Sequence, residues 1–363
     1  IFAGVKPNDR ILKLALGLRF SGISTAGIFQ ARHNNEDYLQ YFDSFIVESD
    51  AQVLFSLVKS TEGEIVHVFS LAADPLALAF LTLNTKKVVF DFKDIFPGIH
   101  PSIVSPEVEG AQKHILENAQ GLVLRDGQAW LSSRLSGFRL APKKILFPDF
   151  CWPEWQIRAD FFKEVESKKF YRLVHIGMAQ DEIVHPRRAG AGQARVFETL
   201  LNFGHEVHYF PGPMNSYKPY PALARLHEMY SGRFVLQPSL PDSQLFYKLA
   251  EYDFGLRLSQ SYFFPNMPVY WHRSLNRYGV GARLYTYLSA GLPIVASPDD
   301  RAPRRACEMG LGILVNSLQQ FDLQRLLEGN PAWILPSSKR RFSVLQLAIN
   351  RRIERLIAFY ESV

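Results

Sequence analysis

Cysteine is scarce in this chain, which has only Cys151 and Cys307 among its 363 residues. Two cysteines are too few for a disulfide framework or a structural zinc site, and they fit a reducing, cytoplasmic environment. Long apolar runs are also missing, since no stretch reaches the roughly 18 residues that a membrane-spanning helix needs. No signal peptide is evident. The chain starts at Ile1 rather than at Met, so we expect the true start, and with it part of a first strand, to lie upstream.

Several motifs that identify an enzyme class are missing as well. The sequence has no Gly-x-x-x-x-Gly-Lys-Ser/Thr loop, no Asp-x-Asp pair and no grouping typical of a Ser-His-Asp triad or a metal site. Internal repeats and low-complexity tracts are not visible either. The sequence therefore gives no support to a P-loop nucleotidase, a serine hydrolase or a repeat protein.

The charge balance is mildly basic, with 41 Lys plus Arg against 35 Asp plus Glu and a net charge of +6. Many basic residues occur as scattered pairs, such as Lys86-Lys87 and Arg187-Arg188. Such pairs are either solvated faces or sites that attract anionic phosphates. No basic stripe interleaves with aromatic residues, so we expect no nucleic-acid partner.

Short apolar strands alternate with helical patterns along the whole chain, which is typical of parallel sheets built from βαβ units. The alternation restarts at Tyr171, after a connection rich in Pro, Trp and charge at Asp149–Lys169. A chain of this length can form two domains with separate cores. We predict a first domain at residues 1–155, a second at 165–337 and a C-terminal helical segment at 338–363.

The hydrophobic periodicity also places individual strands and helices. The predicted strands are 25–29, 65–69, 87–92, 121–124, 144–147, 171–177, 206–210, 233–236 and 253–258. The predicted helices are 10–20, 75–83, 106–119, 193–203, 241–251 and 343–360.

The most informative stretch is Tyr278–Ser297, in which two glycines open a short helix and a Gly-Leu-Pro turn closes it before an apolar strand. A glycine loop that leads into a helix collects backbone N–H groups and the positive end of the helix dipole at one point, which suits phosphate. The predicted phosphate donors are the backbone N–H groups of Val280, Gly281 and Ala282, with Arg283 as a side-chain partner. A tight turn without a ligand is the alternative for the glycine pair alone.

This stretch resembles the donor-site signature of glycosyltransferases with two Rossmann-like domains (the GT-B fold), especially the retaining family-4 (group 1) enzymes. Their signature reads Glu-Gly-aromatic-Gly, four residues, then Glu-Ala-x-Ala-x-Gly-Leu-Pro-Val-Val-Ala. The chain has Tyr278 and Thr286 where the family has its two glutamates. The residues that it shares with the family are Gly279, Gly281, Ala290, Gly291, Leu292 and Pro293.

A second segment and the order of elements carry the same resemblance. Val88–Pro97 is similar to the Val-Val-x-x-x-Arg-Asp-Leu-Trp-Pro segment of these enzymes, with Lys93 in place of the arginine. The second half follows the order of the family's second domain, and the final helix ends near Tyr360-Glu361. The resemblance implies a GT-B α/β fold, in which two Rossmann-like domains face each other across a cleft and the C-terminal helix crosses back to the first domain.

The resemblance also implies an activity and its partners. A sugar would move from a nucleoside-diphosphate sugar, held by the second domain, to a glycan or polyprenyl-phosphate-linked acceptor on the first, as in cell-surface polysaccharide synthesis. The expected enzyme is a metal-independent, hexosyltransferase-like protein that needs no cofactor besides its donor substrate. A further expectation is a peripheral position on the inner, anionic face of the membrane. Retention at the anomeric carbon follows from the resemblance alone.

Roles for individual residues follow from the same resemblance. Thr286 takes the place of the glutamate that holds the ribose, and Tyr278 takes the place of the one near the sugar. Arg188 and Arg195 follow a strand-ending glycine, where the family places a cation pair against the diphosphate, although a solvated loop is the alternative for each. The implied donor-binding residues are Gly177, Arg195, Tyr278, Gly279, Val280, Gly281, Ala282, Arg283 and Thr286. The implied catalytic residues are Lys93, Asp94 and Arg188.

Polar residues in the first half gather at the end of a predicted parallel strand. Asp91, Lys93, Asp94 and His100 lie there, and the ligands of open α/β sheets bind at such strand ends. For Asp94 the alternative is that it caps a turn. His67 lies within an apolar strand and is predicted to be a core histidine with hydrogen-bond partners.

The two replaced glutamates leave three interpretations open. The protein is an enzyme that uses other ligands, a domain that binds nucleotide without catalysis, or a structural remnant. The main alternative to an enzyme is therefore a non-catalytic GT-B protein that acts as a binding partner or scaffold. A third hypothesis is another enzyme with two Rossmann-like domains, such as a sugar-nucleotide epimerase.

Overall fold

The computed structural model describes residues 1–32, 37–70, 75–92, 95, 105–177, 191–211, 221–263 and 281–363. The chain groups into two compact units, each with its own parallel sheet. The first unit comprises Ile1–Glu154, Tyr270–Ala282 and Leu347–Val363, and the second comprises Trp155–Val269 and Arg283–Gln346. The predicted α/β class with two Rossmann-like domains is confirmed.

The first unit contains a seven-stranded parallel sheet with the order β3-β2-β1-β4-β5-β6-β7. Its central strands carry almost continuous apolar sequence, as expected where helices cover both faces of a sheet. The strands are β1 (Phe2–Gly4), β2 (Ala26–Phe29), β3 (Ser44–Val47), β4 (Ile65–Ser70), β5 (Lys87–Phe92), β6 (Gly121–Leu124) and β7 (Lys144–Leu146). The helices that alternate with them are α1 (Asp9–Phe20), α2 (Ala51–Ser60), α3 (Pro75–Phe80), α4 (Pro106–Asn118) and α5 (Gly127–Leu135).

Side-chain caps set the starts of several of these helices. The Asn8 side chain accepts hydrogen bonds from the first amides of α1, and Asp50 does the same for α2. Asp126 accepts from the amide of Ala129 at the start of α5. Each cap satisfies amides that have no partner within the helix.

The second unit contains a six-stranded parallel sheet with the order β10-β9-β8-β11-β12-β13. Its strands are β8 (Arg172–Ile176), β9 (Glu206–Phe210), β10 (Phe234–Leu236), β11 (Phe254–Arg257), β12 (Ile294–Ala296) and β13 (Gly312–Leu314). Its helices are α6 (Ala191–Asn202), α7 (Pro221–Met229), α8 (Asp242–Leu249), α9 (Gln260–Phe263), α10 (Ala282–Ser289, in this unit from Arg283 onwards), α11 (Arg301–Glu308), α12 (Leu323–Gly329) and α13 (Ser337–Leu345). Across the described ranges, no helix is long and apolar enough to cross a bilayer.

The C-terminal segment differs from its prediction. The single helix expected at 343–360 is wrong, because the chain forms α13, a 3-10 turn and then α14 (Ile353–Ser362). Between the two helices, Ala348 is extended and pairs with Cys151. The Cys151 amide donates to the Leu347 carbonyl at 2.9 Å, and the Ile349 amide donates to the Cys151 carbonyl at 3.2 Å. These backbone bonds to a distant part of the chain replace helical ones. Only the part from Leu347 onwards groups with the first unit, whereas α13 groups with the second.

A buried ionic cluster joins α14 to the sheet of the first unit. Arg10 donates to Asp91 at 2.8 Å and to Asp149 at 2.9 Å. His67 Nε2 lies 3.3 Å from the same Asp91 oxygen, and its Nδ1 lies 2.5 Å from the Tyr360 hydroxyl. Burial would raise the pKa of Asp91, but Arg10 and His67 outweigh it and hold that pKa below its ordinary value.

The cluster settles two expectations from the sequence. His67 is confirmed as a core histidine with polar partners. Asp91 does lie near the end of a parallel strand, but its side chain is fully buried and paired with Arg10.

Candidate functional site

The second sheet reverses its winding direction between β8 and β11. From β8 the chain continues to β9 and β10 on one side, whereas from β11 it continues to β12 and β13 on the other. In open α/β sheets, ligands bind in the crevice at the carboxyl ends of the strands that flank such a reversal. Gly177 directly follows β8, and Arg257 is the last residue of β11. These two positions therefore mark the place where the fold favours a ligand.

Two features of the structure require a glycine at position 177. Its φ is +86°, in the left-handed region that favours glycine. In addition, a Cβ at this position would lie 2.8 Å from Nε of Arg283. The absence of a side chain thus lets the guanidinium group of Arg283 lie against the backbone at the end of β8. Two of the donor-binding residues predicted from the sequence, Gly177 and Arg283, are in contact.

Arg283 is the second residue of α10 and is half-buried. Its Nη1 donates to Nε2 of His175, one strand position before the end of β8, at 3.0 Å. Burial lowers the pKa of Arg283 to about 10, and the positive charge of Arg257 acts in the same direction. Arg283 still carries its charge at neutral pH. Positive charge withdrawn from water in this way is stabilised by a neighbouring anion.

Arg257 is held by an acidic residue from the next loop. Its Nη2 donates to Asp300 at 2.6 Å, and both side chains are mostly buried. Burial raises the pKa of Asp300, and the charge of Arg257 offsets this only in part. Nearby, the Ser297 hydroxyl donates to Asp299 at 2.7 Å and accepts from the Ser259 amide at 2.9 Å. The loops after β11 and β12 are therefore tied together beside the arginine.

Tyr287 fixes α10 on the sheet. Its ring is fully buried, and its hydroxyl accepts a hydrogen bond from the Ile176 amide at 2.9 Å. The ring lies so close to β11 that a Cβ on Gly255 would come within 2.4 Å of it. Burial raises the pKa of Tyr287 to about 12, so the phenol stays neutral. Sequence reasoning missed this residue, although a lone glycine within a strand signals close approach of a neighbour.

The glycine loop ends at the N-terminus of α10. Gly281 directly precedes this helix and Ala282 is its first residue, so their amides lie among those without an intrahelical partner. Thr286 lies on the same helix, and only 8% of its surface is exposed. Contact between Thr286 and a ribose stays a prediction.

The remaining residues predicted from the sequence are Arg195 and several that lie outside the described ranges. Arg195 is exposed in the second turn of α6, and its contact with the donor stays a prediction. Within the described part of the chain, no three His, Cys, Asp or Glu side chains group as metal ligands. The predicted residues that lie outside the described ranges are Lys93, Asp94, His100, Arg188, Tyr278, Gly279 and Val280.

No protein-family model and no curated protein matches the chain. Solved structures match over nearly its whole length. A glycosyltransferase from Rickettsia africae ESF-5 is 10% identical, with a TM-score of 0.65 over 99% of this chain and 97% of that one. Anabaena Alr3699/HepE in complex with UDP-glucose is 12% identical, with a TM-score of 0.67 over 98% and 99%. Sucrose-phosphate synthase from Thermosynechococcus elongatus is 11% identical, with a TM-score of 0.60 over 99% of each chain.

These similarities extend over both units and agree with the two parallel sheets described above. At such low identity they establish architecture rather than chemistry. The chain has the GT-B fold that these glycosyltransferases share.

Proposed function

We propose that the protein is a glycosyltransferase that binds a nucleoside-diphosphate sugar at the carboxyl edge of the second sheet. The diphosphate would lie against Gly177, the N-terminus of α10 and the guanidinium groups of Arg283 and Arg257. The sequence signature supports this placement, and so does the fold shared with HepE, which binds UDP-glucose. The acceptor would be a glycan or a lipid-linked glycan held by the first unit.

The observation that carries the proposal is the pair of arginines at the reversal point of the sheet. Burial lowers the pKa of Arg283, and the positive charge of Arg257 acts in the same direction, so this place disfavours the charge of Arg283. An anion beside Arg283 would offset both effects. A diphosphate supplies such an anion, and the helix N-terminus adds N–H donors to the same point.

The same charges would act on the rate of transfer. As the bond between the sugar and the diphosphate breaks, negative charge builds on the departing phosphate oxygen. Positive groups already in place stabilise that charge most in the transition state, and such stabilisation is commonly the largest contribution to catalysis. In this proposal the arginines take the role of the leaving-group stabiliser, so the reaction is metal-independent. Lys93, Asp94 and Arg188 remain proposed contributors from the sequence.

Donor turnover tests the proposal directly. Purified protein is incubated with a panel of labelled UDP-, GDP-, ADP- and CDP-sugars and a mixed glycan and lipid-linked acceptor extract, and sugar transfer and nucleotide release are measured. We expect turnover with one donor class. Arg283→Ala should weaken the affinity for the matching nucleoside diphosphate by about ten- to a hundredfold, the effect of losing one charge-assisted contact.

Arg172→Ala is the matched control, because Arg172 begins the same strand β8 at its opposite, exposed end. This variant should bind nucleotide as the wild type does. Binding without turnover of any donor would instead indicate a non-catalytic protein with this fold, and no binding at all would overturn the donor site.

A further inference from the structure

His175 occupies a buried position directly behind the proposed donor site. It lies on β8, only 3% of its surface is exposed, and its imidazole packs against two aromatic rings that also lie close to each other. The Tyr209 ring stacks on it at an interplanar angle of 15°, and the Phe197 ring meets it edge-on at 67°. A buried side chain that packs against neighbouring rings in this way has little freedom to rotate.

The contact between His175 and Arg283 has a fixed direction. A guanidinium group only donates hydrogen bonds, so Nε2 of His175 must accept the bond that spans 3.0 Å. The imidazole is therefore neutral, with its proton on Nδ1. A protonated ring would have no lone pair for Arg283 and would place a second positive charge directly beside it.

Arg283 needs such an anchor because two features push its guanidinium group away from this place. Its partial burial disfavours the positive charge most, and the charge of Arg257 acts in the same direction. An arginine side chain also loses considerable rotational freedom when it is fixed in one conformation. The hydrogen bond to His175 and the close approach to the bare backbone of Gly177 hold the group at the end of β8.

We infer that His175 is a positioning residue, which orients Arg283 toward the diphosphate of the donor before the donor binds. This inference rests on the proposed function, since it assigns the anchor of the same site. It assigns His175 no contact with substrate. Because His175 already orders Arg283 in the folded protein, the side chain loses little conformational entropy when the donor binds. The affinity for the donor is therefore higher.

Two substitutions separate positioning from packing. His175→Phe keeps an aromatic ring packed against Tyr209 and Phe197 but removes the acceptor. His175→Gln loses the ring, yet its terminal amide oxygen can take the place of Nε2 as acceptor for Arg283. We would measure the affinity of both variants for UDP, GDP, ADP and CDP and for inorganic pyrophosphate by calorimetry, together with their thermal unfolding temperatures.

We expect His175→Phe to weaken binding of the preferred probe by about three- to tenfold while its unfolding temperature stays near that of the wild type. His175→Gln should recover most of that loss, even if it unfolds at a lower temperature.

A double variant tests whether His175 acts through Arg283. The variant that combines His175→Phe with Arg283→Met should bind no more weakly than Arg283→Met alone, because the arginine that His175 holds is already gone. His208→Phe is the control, because His208 is a buried histidine on the adjacent strand β9 that accepts from Tyr252 instead.

Three results would count against the inference. Normal affinity in His175→Phe, combined with a loss in His175→Gln, would show that the ring matters for packing alone. Additive losses in the double variant would mean that His175 acts independently of Arg283. In both cases a loss of affinity in Arg283→Met would leave the proposed donor site standing. If the wild type binds none of the probes, the proposed function and this inference fall together.

Discussion

Gly255 must be a glycine because the Tyr287 ring packs against it. Its backbone is not in the left-handed region, so backbone conformation is not the reason. The Tyr287 ring occupies the space where a side chain would begin, with ring atoms 2.4–2.6 Å from the position of a Cβ. We expect Gly255→Ala to lower the free energy of unfolding by roughly 1–3 kcal/mol, as overpacking of a core does. Urea denaturation measures this change.

Gly110→Ala provides a control of opposite sign. Gly110 lies in the middle of α4, and a Cβ there meets no atom within 4 Å. Alanine favours a helix over glycine by roughly 1 kcal/mol, so this variant should be more stable than the wild type. Equal effects of the two substitutions would contradict the close contact between Gly255 and Tyr287.

His67 makes the stability of the first unit sensitive to acid. Burial lowers the pKa of His67, and the contact with Asp91 offsets this only in part. Below the ordinary histidine pKa, near 6.5, the unfolded chain binds a proton that the folded chain resists. Stability is therefore fully present above that pH and falls as the pH drops from there toward the lower folded pKa.

Urea unfolding at pH 7.5 and pH 5.5 tests this expectation. His67→Gln should be less stable than the wild type at pH 7.5, yet it should lose less stability on acidification. His114→Gln, at an exposed position on α4, should follow the wild type at both values. His205 and His208 also have lowered pKa values through burial, so some acid sensitivity should remain. An unchanged pH dependence in His67→Gln would contradict the assignment.

At the scale of single residues, the sequence predicts only the part of the site that lies in one local motif. Gly281 and Arg283 belong to the glycine loop, and Gly177 ends an apolar strand, so each has a signal in its immediate neighbours. His175 has no such signal, because its partner Arg283 lies 108 positions further along the chain. A buried histidine in a strand gives the same pattern whether it packs or anchors an arginine.

At the scale of elements, apolar runs predict strands well where a strand is buried. The predicted β5, β6 and β9 agree with the structure at both ends. β1 and β3 were missed, since β1 has three residues and β3 is an edge strand with mostly exposed side chains. The sequence does indicate α2, although we did not predict it. Asp50 is a residue that caps helices, and Leu54 and Val58, which are buried, are spaced four residues apart as on one face of a helix.

The final helix shows why local periodicity can extend an element too far. The apolar spacing continues from α13 into α14, so the sequence predicts one helix. Bonds between Cys151 and the backbone around Ala348 end that continuity, and they join residues almost 200 positions apart. Helical periodicity contains no information about such a partner.

At the scale of the whole molecule, the two sheets share a topology, but their charged side chains are paired in different ways. In the first unit, Arg10, Asp91 and Asp149 neutralise one another within the core. In the second, Arg257 is likewise paired with an acid, Asp300, whereas Arg283 donates to the uncharged imidazole of His175 at the carboxyl edge of the sheet, where the fold favours ligands. If the protein has the proposed function, a nucleotide should therefore act on the second unit first.

Hydrogen exchange with and without the preferred nucleoside diphosphate tests whether the nucleotide binds to the second unit. At a ligand concentration 100 times the dissociation constant, binding stabilises a folded protein by about 2.7 kcal/mol. We expect slower exchange in peptides that contain the end of β8, the end of β11 and α10, because the diphosphate contacts these segments. Peptides from β4 and β5, which surround His67 and Asp91, should exchange at the same rate in both samples. Protection confined to the first unit would place the nucleotide at the wrong sheet and would refute the site built around Arg283.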